Sequence, residues 1–377
     1  MFRKKPPHPL LWLIVIFTTL FALLGYTVAS AGAKKDVSAK AATLYEPTTK
    51  RFIYSKNSDL RLPMASTTKI MTAIVAKENS LLDETCKINE EAVGIEGSSA
   101  YLKEGELYTI EELLYALLLQ SANDAAVAIA YHVAGGISEF AELMNNKAAD
   151  LGLSNTHFSN PHGLDDDEHY TTASDLAIIA AELLSDQDLS EIVSTYKKKF
   201  VSEDRQRTYV NHNKLLLGYD GAIGIKTGFT KKSGRCLVGA ANRDGLSLIT
   251  VTLNAPNDWN DHKALFDFGF SSIERITFTN PEELSYKIPV ISGTTDYITV
   301  TNTEGASVIV PKGEHKIESY LKLHRYVSAP VYKDTPLGEM IYTIDGNEAA
   351  RVILYSKDDI PLPEKKNLLD WFKNILN

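Results

Sequence analysis

The hydrophobic pattern changes once along this chain, near Glu274, and that change constrains the fold more than any other feature. Before it, strand-like and helical stretches are mixed. "AATLYEPTTKRFIYSKN" reads as two strands around a polar turn, a hairpin. "TTKIMTAIVAKE", "TIEELLYALLLQ", "DAAVAIAYHVA", "EFAELMNNKAADLG" and "TASDLAIIAAELL" repeat apolar residues at helical spacing. Thr109, and Ser174 or Thr172, stand where helix caps belong, and Gly152 where a helix stops. From about Lys199 to Asn254 strand patterns return in "KKFVS", "GAIGIKTG", "RCLVGAAN" and "LSLITVTLNA"; "HKALFDFGFSSIE" then reads as a closing helix. The N-terminal hairpin is expected to join the later strands in one sheet, giving an α+β layered domain over residues 37–275. After Glu274 short apolar or alternating runs are separated by "NTEG", "PKGE", "KDTPLG" and "DGNE", all turn chemistry. They predict a small all-β, sandwich-like domain over residues 276–360.

Two terminal segments stand apart. Residues 1–33 join a basic "FRKK", an apolar run from Pro9 to Ala31 and the small residues "ASAGA". This pattern predicts a signal peptide cleaved after Ala31 or Ala33, or else a retained anchor, since about 20 apolar residues span a bilayer. Either way the rest of the chain is expected to be exported. Residues 361–377 carry Leu368, Leu369, Phe372, Ile375 and Leu376 at helical spacing, with Trp371 at the border and lysines available to the other face. An amphipathic helix of that kind suits a membrane surface. The net charge of −9 argues against a nucleic-acid partner, which calls for a basic stripe. Cys86 and Cys236 are far apart and read as buried thiols.

Ser66 and Lys69, in "PMASTTKIMTAIVAKE", are three residues apart on what reads as the first turn of a helix. Such a pair shares a face, so the amine can reach the hydroxyl. A serine hydroxyl needs a base to become a nucleophile. A lysine, ordinarily titrating near about 10.4, serves only if its surroundings depress that value by several units. Lys226 and a partly closed apolar cleft are candidates for doing so, and a helix N-terminus at Ser66 favours an oxyanion. Alone the pair says little, because Ser194/Lys197 and Ser319/Lys322 repeat it; those copies read as structural, and a helix cap is the plain reading of Ser66 too. Two further motifs separate the first copy from the others: Ser-x-Asn at Ser121 and Asn123, between two helices, and Lys-Thr-Gly at 226–228, on a strand.

In that order the three motifs are the set of the serine β-lactamases and penicillin-binding proteins, with S-A-N here where S-D-N is common. The chain resembles the low-molecular-mass penicillin-binding proteins of D-alanyl-D-alanine carboxypeptidase type. "LPMASTTKIMTAIVAKE", "AYLKEGELYTIEELLYALLLQSANDAA", "MNNKAADLGLSNTHFSNPHGLDDDEHYTTASDLA" and "GAIGIKTGFT" carry the likeness almost continuously through the first domain. The resemblance implies a β-lactamase/transpeptidase-like catalytic domain, with an antiparallel sheet and a helical cluster, followed by the β domain and the terminal helix. It implies a peptidoglycan stem peptide ending in D-Ala-D-Ala as substrate, β-lactams as acylating inhibitors, and a place at the outer face of the cytoplasmic membrane, facing the wall. It also implies roles. Ser66 is the nucleophile and Lys69 its base, Ser121 relays a proton to the leaving nitrogen, and Asn123 orients Lys69 and binds the substrate amide. Lys226 and Thr227 hold the terminal carboxylate, Gly228 lets the substrate backbone lie against the strand, and the N–H groups of Ser66 and Phe229 form the oxyanion hole.

One departure stands out. Some members carry a carboxylate-binding arginine shortly before the closing helix, and "NAPNDWNDHK" at 254–263 has none. "HGLDDDEHY" at 162–170 lacks the spacing of an EF-hand or of a His-x-x-x-His pair; it reads as a loop packed by His169 with solvated acids. No metal or other cofactor is expected. "VNHNKLL" at 210–216 reads as structural. Two other readings of the scaffold stay open here: a β-lactamase or esterase, for which no deacylation-loop glutamate is recognisable, and a catalytically idle wall-binding module.

Overall fold

The computed structural model of the protein describes residues 36–201 and 205–364. The expected signal or anchor at 1–33 lies outside them, as does the expected amphipathic helix from residue 365 onward. Among the described residues no helix is long and apolar enough to cross a membrane.

Strands β1 (Ala41–Glu46) and β2 (Arg51–Lys56) form the expected hairpin. A short pair, β3 (Thr85–Lys87) and β4 (Leu107–Thr109), and a hairpin, β5 (Lys197–Val201) with β6 (Gln206–Val210), stand outside the main sheet. Among the described residues the strand at Lys199 thus pairs only with its own hairpin partner, with Phe200 set edge-on to Tyr115. The main sheet adds β7 (Ala222–Thr230), β8 (Gly234–Arg243) and β9 (Leu246–Leu253) to the first hairpin, in the order β2-β1-β9-β8-β7 and antiparallel throughout. Strand β7, which carries Lys-Thr-Gly, is therefore an edge strand.

Both faces of the sheet are covered, which is why β8 and β9 read as nearly continuous apolar runs. Ile249, Val251, Leu253, Cys236 and Val238 pack against a helical cluster. That cluster is α1 (Lys69–Asn79), α2 (Ile110–Leu119), α3 (Asn123–Ala134), α4 (Ile137–Asp150), α5 (Ala173–Ser185) and α6 (Gln187–Ser194). On the opposite face Leu237, Leu248 and Leu44 pack on Phe266 of α7 (Asp258–Ser272). The α2 sequence IEELLYALLL is apolar nearly all round and is buried along almost its whole length, as a central helix must be. Its cap is the expected Thr109, whose Oγ1 accepts from Glu112 N at 3.1 Å. Thr172 caps α5 in the same way, accepting from Asp175 N at 3.0 Å. Each such cap contributes about 1 kcal/mol.

Strand β10 (Ile273–Thr279) leaves α7 without a linker and begins a separate β-rich domain. It pairs with β13 (Ala306–Pro311). A six-stranded sheet follows, built from β11 (Ser285–Ile291), β12 (Tyr297–Asn302), β14 (Ile317–Leu323), β15 (Val327–Ser328), β16 (Pro336–Ile344) and β17 (Asn347–Ser356). Ile288, Ile298, Val300 and Leu354 centre its core, and Phe278 of β10 stacks on Tyr342 of β16 with ring centroids 4.7 Å apart.

Candidate active site

Ser66 does not lie in the first turn of the α-helix itself. It sits in a 3₁₀ turn, Ala65–Thr68, that runs straight into α1 at Lys69. Ala65 has φ +47°, a left-handed value that costs a non-glycine residue about 1–3 kcal/mol when the surroundings enforce it. The enforcement is visible. Thr67 Oγ1 donates to Met64 O at 2.6 Å, and Thr68 Oγ1 donates to Ala65 O at 2.8 Å. Because the Thr68 hydrogen is used there, His169 Nε2, 2.7 Å from Thr68 Oγ1, is the donor in that contact. Its Nδ1 then accepts from Ser159 N at 3.0 Å, which fixes a neutral tautomer. Burial pushes His169 down to about 4, in keeping with a neutral ring. Gly163, at φ +85°, lies so close to the Ala65 carbonyl that no Cβ fits between them.

Lys69 is wholly buried, and its Nζ has three neighbours: Ser66 Oγ at 3.0 Å, Asn123 Oδ1 at 2.7 Å and the His162 carbonyl at 2.5 Å. The Asn123 amide is oriented from behind, its Nδ2 donating to Glu96 O at 2.5 Å, so its oxygen must face the lysine. Asn123 Oδ1 and the His162 carbonyl can only accept hydrogen bonds. A neutral lysine amine gives one N–H to each, and its remaining lone pair faces the Ser66 hydroxyl. Burial holds Lys69 well below its ordinary value. The charge of Lys226 acts in the same direction, and the Asp124 carboxylate opposes it. The arrangement is that of a base poised on a serine.

Lys226 is also buried, held by its own strand with Nζ donating to Thr227 O at 3.1 Å, and burial lowers it to about 7. Gly228 faces the serine turn. A Cβ there would lie 3.1 Å from both Ser66 N and Met64 O, so the glycine lets β7 press against the serine turn. Gly228→Ala should push the strand outward against rigid backbone and lower kcat/KM about tenfold or more, with the fold retained. Wild-type kinetics in that variant would show that the strand does not seat the nucleophile. Phe229 follows with its ring exposed.

Ser121 occupies the turn between α2 and α3, buried and in the left-handed region at φ +64°. Its hydroxyl makes no hydrogen bond to another described residue, whereas Ser66, Lys69 and Asn123 are joined by hydrogen bonds.

Three contributors were not legible in the sequence as site residues. His162 acts through its backbone carbonyl, which has no side-chain signature. Gly163 backs the serine turn. Asp124 is buried and accepts from Ser99 Oγ at 2.6 Å, Ala100 N at 2.9 Å and Leu102 N at 3.1 Å, fastening a loop to the start of α3. In the 162–170 loop the acids are exposed, and two of them tie the loop to the end of β7: Asp165 accepts from Thr230 Oγ1 at 2.8 Å and Asp167 pairs with Lys232 at 2.6 Å. Asn211 and Asn213 are buried in backbone hydrogen bonds, and Cys86 and Cys236 are buried free thiols. Of the other Ser-x-x-Lys pairs, Ser194 donates to Glu191 O at 3.0 Å and Lys322 pairs with Glu339 at 3.0 Å.

Residues 27–257 match the family described as D-alanyl-D-alanine carboxypeptidase, peptidase S11. The chain belongs to the D-alanyl-D-alanine carboxypeptidase family. Residues 276–362 of this family member match the C-terminal domain of penicillin-binding protein 5. It is 33% identical to the D-alanyl-D-alanine carboxypeptidase DacF of Bacillus subtilis, over 95% of this chain and 99% of that one. It is 30% identical to DacC of Escherichia coli, over 88% and 86%. Among solved structures it is similar to penicillin-binding protein 5 of Haemophilus influenzae, with a TM-score of 0.66 and 27% identity, covering 87% of this chain and 99% of that one. The carboxypeptidase family to which the chain belongs comprises serine peptidases that act on peptidoglycan through an acyl-enzyme, outside the cytoplasm, and that β-lactams inhibit.

Proposed function

We propose that this carboxypeptidase removes the terminal D-alanine of peptidoglycan stem peptides through an ester on Ser66. The observation that carries the assignment is the buried Lys69 Nζ, 3.0 Å from Ser66 Oγ and held there by the oxygens of Asn123 and His162; as a neutral amine that gives its two N–H groups to those oxygens, it turns its lone pair to the serine. As Oγ attacks the carbonyl carbon between the two D-alanines, its proton passes to Lys69 Nζ. The oxyanion is held by the N–H groups of Ser66 and Phe229. The C–N bond breaks as Ser121 relays a proton to the leaving D-alanine nitrogen. Water then attacks the ester, and the shortened peptide leaves with a new carboxylate. Asn123 orients Lys69 and the substrate amide, while Lys226 and Thr227 bind the terminal carboxylate.

The edge position of β7 supports this pose, because an extended substrate finds unpaired backbone groups along Lys-Thr-Gly. Arg235 takes the part of the arginine absent from 254–263. It stands opposite Phe229 and diagonal to Thr227 on the β7–β8 ladder, within reach of a long side chain. One guanidinium nitrogen is fixed by the buried Asp258 at 2.9 Å, and the side chain is 43% exposed. A charge-assisted hydrogen bond contributes about 1.5–3 kcal/mol, so Arg235→Gln should raise KM about tenfold with little change in kcat. An unchanged KM would remove Arg235 from the carboxylate site.

The finer localisation belongs to the same proposal: export through residues 1–33, a catalytic domain over 37–275, a sandwich-like domain over 276–360, and attachment to the outer face of the cytoplasmic membrane through an amphipathic helix at 361–377. The test of the whole reading is mass spectrometry of the protein after separate incubation with penicillin and with a peptide ending in D-Ala-D-Ala. The expected result is an adduct on the peptide containing Ser66, together with free D-alanine. Rapid turnover of penicillin, or an adduct without D-alanine release, would overturn it.

A further inference from the structure

Tyr101 has a backbone that its side chain does not favour and a ring that nothing covers. Its φ is +59°, in the region that bulky L-residues avoid, and it is 75% exposed, so burial of the ring does not offset the strain. The conformation is nevertheless locked from both sides. Ala100 N and Leu102 N donate to the two oxygens of the buried Asp124 carboxylate, at 2.9 and 3.1 Å. Tyr101 N donates to Ser99 Oγ at 2.9 Å, and that hydroxyl donates to Asp124 at 2.6 Å. Tyr101 O accepts from Arg207 Nη2 at 3.4 Å.

The same loop is bound to the machinery. Asn123 N donates to Ser98 O at 2.7 Å, Gln120 Nε2 donates to Ser99 O at 3.3 Å, and a Cβ on Gly97 would meet the Asn123 amide at 2.8 Å. The residues that fix the Tyr101 backbone are thus the neighbours of the residue that places Lys69. A strained residue that its surroundings over-determine, on a loop bonded to Asn123, points to a role for its side chain.

We propose that Tyr101 is a specificity-determining wall of the cleft, its ring stacking on the part of the acyl donor that precedes the scissile D-Ala-D-Ala. This rests on the carboxypeptidase reading above. With the terminal carboxylate at Lys226 and Thr227 and the acyl-side amide at Asn123, the upstream part of the donor leaves the cleft on the Asn123 side, the side to which the Tyr101 loop is bonded through Ser98 O. An aromatic face held by the backbone stacks at little cost in side-chain freedom.

The experiment compares kcat/KM for N-acetyl-D-Ala-D-Ala and for an N-acetylated pentapeptide ending in D-Ala-D-Ala, using the full chain as wild type, Tyr101→Ala, Tyr101→Phe and Tyr101→Gly. The ratio of pentapeptide to dipeptide is expected to fall about fivefold to tenfold in the alanine and glycine variants and to hold in the phenylalanine variant. Glycine relieves the left-handed strain, so its melting temperature should not fall, and a lost ratio there cannot come from a damaged loop. An unchanged ratio in Tyr101→Gly, or an equal fall on both substrates, overturns the proposal. Wild-type protein that releases no D-alanine from either substrate overturns the carboxypeptidase reading itself, and this proposal with it.

Discussion

Ser66→Ala is expected to leave a folded protein that no longer takes a covalent label from fluorescent penicillin and that releases D-alanine at least about 10³-fold more slowly than wild type. The substitution removes one oxygen. Lys69 keeps its contacts to Asn123 and His162, and the threonine bonds that set the serine turn involve Thr67 and Thr68 rather than Ser66. Loss of label with an unchanged melting temperature therefore reports chemistry. Neither remaining Ser-x-x-Lys pair is a ready substitute. Ser194 spends its hydroxyl on a helix carbonyl, and Ser319 lies on a strand, where residues three apart point to opposite faces. Label retained on the alanine variant would place the nucleophile elsewhere.

The second large effect is expected at Lys69. Lys69→Met keeps the volume and apolar stem but removes the base, and acylation should slow by about 10²–10⁴-fold. The pH dependence then tests how the base works. Lys69 accepts a proton only while neutral, so wild-type acylation should fall as acidification protonates it. Burial and Lys226 lower its pKa, so removing the Lys226 charge in Lys226→Met should raise that pKa and move the acidic limb to higher pH. Asp124 works the other way, and Asp124→Asn should move the limb to lower pH. Each profile is read against its own plateau, which separates the shift from any loss of substrate binding. Two shifts of opposite sign identify Lys69 as the titrating group; a limb that neither variant moves belongs to another residue.

Much of this site is legible in the sequence because chemistry fixes residue types at fixed spacing. Ser66, Lys69 and Asn123 meet because a three-residue step on a helical turn brings a hydroxyl to an amine, and because the start of α3 delivers an amide to the same place. The caps at Thr109 and Thr172, and the first hairpin joining the later strands, follow from local patterns in the same way. What escapes is of another kind. The His162 carbonyl is common to every residue and leaves no mark. Ala65, Tyr101 and Ser121 adopt left-handed backbone that their side chains do not advertise, since tertiary contacts impose it. Gly228 is legible as a glycine, but not as the one that lets a strand touch the serine turn. The hairpin at Lys199 reads like a strand of the main sheet because alternation shows that a segment pairs, not with what.

The sheet of the catalytic domain ends on β7, and it ends one strand short beside its nucleophile. Under the proposed pose the missing strand is brought by each substrate in turn and released after cutting. Selection then begins with shape, before any D-alanine is recognised: a chain end that can lie straight completes the ladder, and one folded back on itself or closed into a ring finds no register in which to dock.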